Sequence, residues 1–151
     1  MSKVSYQRIV VAVDFSKTSK AALQQALGVA EQHDATLEVI YVIEDAFQAT
    51  LPWMKQGQET VKQMRSEAVD VATEKLQKFV GKTAVEVRRT VKTGEVDEEV
   101  IRLAGRRKAD LIVLGKVGRR RVDEFLIGSS ANDIIRISTV PVLLVPAPKK
   151  R

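Results

Sequence analysis

Ile9-Val10-Val11-Ala12-Val13-Asp14 is a continuous apolar run closed by a carboxylate, the pattern of a strand covered on both faces rather than one. A strand buried on both sides belongs to a parallel sheet packed between helices. Ser16 to Ser19 then offers hydroxyl caps, and Leu23, Ala26, Leu27 and Ala30 recur at helical spacing until His33-Asp34. Thr36 to Ile43 is β-branched and apolar with one charge, a second strand. Glu44 to Gly57 has no sustained period and is read as a connecting loop. Val61, Met64, Ala68, Val71, Leu76 and Phe79 mark a long amphipathic helix ending near Gly81. Val85, Val87 and Val91 alternate with Glu86, Arg88 and Thr90, as in a strand with a wet face at a sheet edge. Val96, Val100, Leu103 and Ala104 form a short helix, Leu111 to Leu114 a buried strand ending at Gly115, Ser129 to Ile137 a helix, and Val140 to Val145 the last strand.

The order is βαβαβαβαβ without an internal repeat, which predicts an α/β fold with a single open five-stranded parallel sheet and helices on both faces. Right-handed crossovers leave few topologies for such a sheet. Ligands of open sheets of this kind sit beyond the carboxyl ends of the strands, where the winding reverses. The residues just after the strands are therefore the candidates for function.

Composition narrows the chemistry. At 151 residues the chain is one domain, with 44% hydrophobic and 29% charged residues, close to the soluble average. No apolar stretch approaches the ~20 residues of a membrane span, and Met1 to Arg8 has no secretory pattern, so a cytoplasmic protein is expected. Zero cysteines exclude disulfides, thiolate nucleophiles and sulfur-based zinc sites, and one histidine forms no cluster. The net charge of +6 is local: Arg106 to Lys108, Lys116 with Arg119 to Arg121, and Lys149 to Arg151 hold ten of the 25 basic residues. Without these runs the balance turns negative. The first run complements a helix end, as the acidic Glu95 to Glu99 complements its start. The last reads as a solubilising tail, residues 149–151, after a domain of residues 1–148. Dispersed runs without a recognition motif make nucleic acid an unexpected partner.

The fourth strand leads into Gly115-Lys116-Val117-Gly118-Arg119, and Gly128-Ser129-Ser130 opens the next helix. Glycines let backbone approach a ligand and take positive φ at little cost. Free N–H groups at a helix start attract anions, and Ser129 and Ser130 add hydroxyl donors. A phosphate loop is one reading; turn glycines with Ser129 as a helix cap is the other. Neither GxxxxGK[ST] nor GxGxxG is present to separate them. Asp14 is open in the same way, as an acceptor for ribose hydroxyls, adenine-edge donors or a magnesium-bound water, or as a local cap. His33 reads as an exposed helix-end residue. Phe47 and Trp53 in the long loop either shelter a ligand or pack on the sheet.

Gly115-x2-Gly118-x9-Gly128-Ser129, the opening strand ending in Asp14, the second strand ending near Val42, and Val140-Pro141-Val142-Leu143-Leu144-Val145-Pro146 together resemble the universal stress protein family along nearly the whole chain. The resemblance implies a Rossmann-like fold of the adenine nucleotide alpha hydrolase type and the family's ATP-binding branch. It implies that Ala12, Val13 and Asp14 line the adenine and ribose side, that Val42 touches the adenine, and that Leu114 and Gly115 approach the ribose and phosphates. Gly118, Arg119, Gly128, Ser129 and Ser130 would hold the phosphate chain, with Mg2+ carried through the phosphates. Lys116-Val117 and Arg120-Arg121 depart from the residues common at those places. A homodimer through Val140 to Val145 is also implied, and Pro141, which lacks a ladder donor, marks that strand as an edge. No nucleophile, base and carboxylate set is evident, so slow hydrolysis by positioning is the most catalysis expected. The expectation is an ATP-holding stress-response or regulatory protein; the competing one is a nucleotide-independent interaction module of the same fold.

Overall fold

The computed structural model describes residues 2–44, 58–118 and 126–149. Five strands, β1 (Arg8–Val13), β2 (Thr36–Ile43), β3 (Val87–Thr93), β4 (Leu111–Gly115) and β5 (Val142–Val145), alternate with α1 (Lys17–His33), α2 (Gln58–Val80), α3 (Val96–Arg107) and α4 (Ser129–Ile137). The strands form one parallel sheet in the order β3-β2-β1-β4-β5. The predicted α/β sheet is therefore present, with β3 and β5 at its edges as their patterning and Pro141 foretold.

Alternate residues of the central strands feed two separate cores. Ile9, Val11 and Val13 of β1, Leu37 and Val39 of β2 and Val113 of β4 pack with Leu23 and Ala26 of α1 and Leu76 and Val80 of α2. Val10, Ile40, Val42, Ile112 and Leu114 face the opposite way, onto Val100 and Leu103 of α3 and Ala131 and Ile134 of α4. This two-sided burial is why β1 and β4 have no polar alternation.

Two boundaries and one helix face differ from the sequence reading. The last strand begins at Val142 rather than Val140, because Pro141 can only accept, taking the Ile112 N–H at 3.0 Å. The wet-faced strand begins at Val87, leaving Val85 just outside it. On α2 the buried residues are Val61, Ala72, Leu76 and Val80, whereas Met64, Ala68 and Val71 are exposed. At about 100° per residue, Met64 and Val71 point well away from the Ala72, Leu76 and Val80 stripe that meets the core, so they stand on the outer side of the helix. Gly81, at φ +68°, closes it in the left-handed conformation that favours glycine.

Candidate functional site

The winding reverses between β1 and β4, the two central strands from which the chain runs outward in opposite directions. β1 is paired with β2 from Arg8 to Val13 but with β4 only from Ile9 to Val11. Beyond Val11 and Val113 that pairing ends, with Ala12, Val13 and Asp14 following on one strand and Leu114 and Gly115 on the other, at the switch point where ligands of such sheets sit. Two helices begin there: α1 after β1, and α4 after the glycine loop.

The β1–α1 turn is held by a closed set of bonds. Asp14 Oδ1 accepts the Ser16 N–H at 3.0 Å, and the Asp14 N–H donates to Ser19 Oγ at 3.2 Å. Ser16 caps α1 through its hydroxyl, which accepts the Ser19 N–H at 3.1 Å. Phe15, enclosed by the Asp14–Ser16 bond, sits at φ +67°, a conformation that costs an aromatic residue roughly 1–2 kcal/mol. Its ring packs on Tyr41 at 4.4 Å and edge-on to Phe79 at 5.3 Å between centroids. The cap reading of Asp14 thus holds for one carboxylate oxygen. The other faces the loop.

None of the three loop glycines has positive φ. Gly115 and Gly118 are small because of what lies beside them, a correction to the conformational argument made from sequence. A Cβ on Gly115 would stand 2.9 Å from Thr18 Cγ2 and 3.4 Å from the Thr18 carbonyl carbon, where α1 rests on β4. A Cβ on Gly118 would stand 3.1 Å from Asp14 Oδ2, and one on Gly128 3.6 Å from the Gly118 nitrogen. Asp14, Gly118 and Gly128 are therefore one cluster, although separated by more than a hundred residues of chain. The loop is anchored at its base, with the Lys116 N–H bonded to Val145 O at 2.7 Å and Lys116 O accepting the Gly128 N–H at 2.8 Å. Gly115→Ala should cost about 1–3 kcal/mol by overpacking, a fall in Tm of roughly 2–12 °C; a melting curve equal to wild type would refute the closeness of α1 to β4.

Gly128, not Ser129, is the N-cap of α4, and among the described residues no side-chain cap bond is made there. Ser129 and Ser130 occupy its first turn, exposed and half-buried respectively. The alternative of Ser129 as a cap is thereby removed. Val42 and Leu114 are buried in the core on the α3–α4 side, and Val13 in the core on the α1–α2 side, so the Val13 side chain points away from Ala12. Arg119, Arg120, Arg121, Phe47 and Trp53 lie outside the described residues. Among the described residues no three acidic or imidazole groups gather as metal ligands. His33 is not the exposed residue expected: its Nδ1 accepts the Tyr6 N–H at 3.3 Å, and the two rings lie 5.2 Å apart.

One charged residue had no assigned role in the sequence. Glu38, the lone charge of β2, is 5% exposed, accepts the Thr90 hydroxyl at 2.8 Å and pairs with Arg107 Nε at 2.8 Å. The signal was its place in an otherwise apolar strand. The partner, 69 positions later in the chain, carried no such signal.

A five-stranded parallel sheet wound in this order, with a glycine loop and a helix start at the reversal, defines an open α/β domain of the doubly wound type. The universal stress protein family matches residues 5–146, and the chain belongs to it. A universal stress protein of Methanocaldococcus jannaschii is 31% identical, over 96% of this chain and 85% of its own. Universal stress protein A homolog 1 of Coxiella burnetii is 34% identical, over 93% and 96%. Among solved structures, a hypothetical protein whose biochemical function was assigned from its structure superposes with a TM-score of 0.78 at 23% identity, covering 97% of this chain and all of the other. Two universal stress proteins of the same fold were solved with nucleotides. One is in complex with cAMP (TM-score 0.62, 23% identity, 96% and 100% covered) and the other, from Archaeoglobus fulgidus, with dAMP (0.58, 21%, 94% and 99%).

Proposed function

We propose that this chain binds ATP at the β1–β4 switch point and acts in the cytoplasm as a homodimeric stress-response or regulatory protein. The observation that carries the reading is the apposition of Asp14 Oδ2 and Gly118, where a Cβ would intrude to 3.1 Å, beside the start of α4 at Gly128. Ala12, Val13, Asp14 and Val42 serve the adenine and ribose side, and Leu114 and Gly115 lie between sugar and phosphates. Gly118, Gly128, Ser129 and Ser130 receive the phosphates through backbone N–H groups and hydroxyls, with Arg119 adding charge. The adenine nucleotides in the two related complexes support the ligand class. Magnesium travels with the phosphates, since no cluster of three acids among the described residues holds a metal by itself. Residues 1–148 are the working unit and 149–151 a basic tail.

ATP at ~100 times its Kd should stabilise the protein by about 2.7 kcal/mol, and a mass spectrum of gently purified, then denatured, protein should contain adenine nucleotide. Absence of both the thermal shift and the released nucleotide sinks the reading. A second reading, an interaction module indifferent to nucleotide, is favoured by the exposed apolar Ile135, Ile137 and Leu143 on α4 and β5. The two part on whether a loop variant that loses ATP also loses its association.

A further inference from the structure

We propose a second anion site at the opposite end of the sheet, one that takes a small, multiply phosphorylated ligand. It is independent of the nucleotide reading. A cavity of about 370 Å³ lies there, lined by Arg8, Arg88, Arg106, Arg107 and Lys108 around Glu38. That volume is in the range of small-ligand pockets and too small for a duplex to enter.

The groove has a simple origin. Val10, Glu38 and Arg88 are in register across β1, β2 and β3, so their side chains share the α3–α4 face. On that face α3 packs over β1 and β2, and the helix packed on β3 is α2, from the other side. Arg88 therefore borders an open trough between α3 and the sheet edge. Arg8 enters from the start of β1, and Arg106 to Lys108 from the end of α3.

The helix dipole does not account for this much charge. A helix C-terminus carries about half a negative charge, whereas three cations stand there and Arg8 and Arg88 belong to other elements. Glu38 neutralises one of the five, Glu86 approaches Arg88 only at 3.9 Å between exposed side chains, and the Asp110 carboxylate beside Arg8 is taken up by the backbone N–H groups of Gln7 and Arg8 at 2.8 and 3.2 Å. Among the described residues no carboxylate pairs with the side chains of Arg8, Arg106 or Lys108. Converging cations raise the local potential for an anion, and guanidinium forks suit phosphate oxygens.

Glu38 acts as a positioning residue. With one oxygen on the Thr90 hydroxyl and the other on Arg107 Nε, it fixes a guanidinium at the wall through the nitrogen that phosphate forks do not require. A loose cationic patch has no such buried anchor.

Inorganic tripolyphosphate is the probe, titrated calorimetrically into the full chain and into Gly118→Val, which alters the other site. Both should bind it, and Arg8→Ser/Arg106→Ser, at two exposed positions, should weaken binding at least tenfold while any ATP shift and the melting curve stay as in wild type. Glu38→Gln separates a built site from a charge patch. It removes a negative charge, so a patch would bind tighter; loss of Arg107's anchor should instead weaken binding several-fold. Tripolyphosphate binding unchanged by the double serine variant, binding lost only in Gly118→Val, or tighter binding in Glu38→Gln would each overturn the proposal. Displacement of the probe by a duplex oligonucleotide through the same arginines would overturn it in favour of nucleic acid. Should ATP fail to bind wild type while tripolyphosphate still does, the nucleotide reading falls and this one stands.

Discussion

Gly118→Val should abolish the stabilisation by ATP while leaving the fold intact. The valine Cβ would start 3.1 Å from Asp14 Oδ2, and its two methyl groups extend further into the same space. Either the carboxylate turns away, losing the place proposed for it beside the ribose, or the loop retreats from the proposed phosphate position. Gly118 is itself exposed and follows the end of β4, so little core packing is at stake. Wild type at ~100 times its Kd gains about 2.7 kcal/mol, a Tm rise of roughly 5–11 °C for a chain of this size. The variant should show no rise at the same concentration, with a ligand-free melting point near that of wild type. Gly118→Ala, needing a shift of only a few tenths of an ångström, should fall between the two. A valine variant that still binds ATP as tightly as wild type refutes the assignment of Asp14 and Gly118 to one site.

Leu143→Lys should convert the proposed dimer to monomer. β5 is an edge of the sheet, with its inner side paired to β4 and Leu143 36% exposed. An apolar edge is a template for another strand, and lysine is a common means of blocking it. A two-fold interface uses the same patch on both copies, so each substitution would place like charges across the axis. Because the side chain is already partly in water, the monomer should keep its fold and its ATP shift. Light scattering coupled to a sizing column gives the answer: a dimer that survives the change refutes β5 as the interface. Dimers that dissociate with ATP binding intact show the two properties to be separable, which the interaction-module reading requires.

The strands were legible because burial on both faces leaves a strong mark. β1 and β4 are unbroken apolar runs, β3 alternates, and Pro141 announced an edge. The α2 face was misread because an apolar residue is not always a buried one: Met64, Ala68 and Val71 were counted as core, yet they are exposed among the buried Val61, Ala72, Leu76 and Val80. The glycine spacing located the loop, yet the reason for glycine lay in Thr18 and Asp14, contacts across the fold that no local rule contains. Glu38 and Arg107 were each visible as residues, but their pairing depends on helix α3 lying over β2. His33 was assigned by its helix end, whereas Tyr6, from the segment before β1, determines its surroundings.

The starts of α1 and α4 flank the β1–β4 switch point from opposite faces of the sheet. Each helix N-terminus is equivalent to about half a positive charge carried by backbone dipoles, and peptide groups do not titrate. The field there is therefore written into the chain trace itself: it persists through acidification or alkalinisation that would alter lysine or histidine, and acetylation of a side chain leaves it in place.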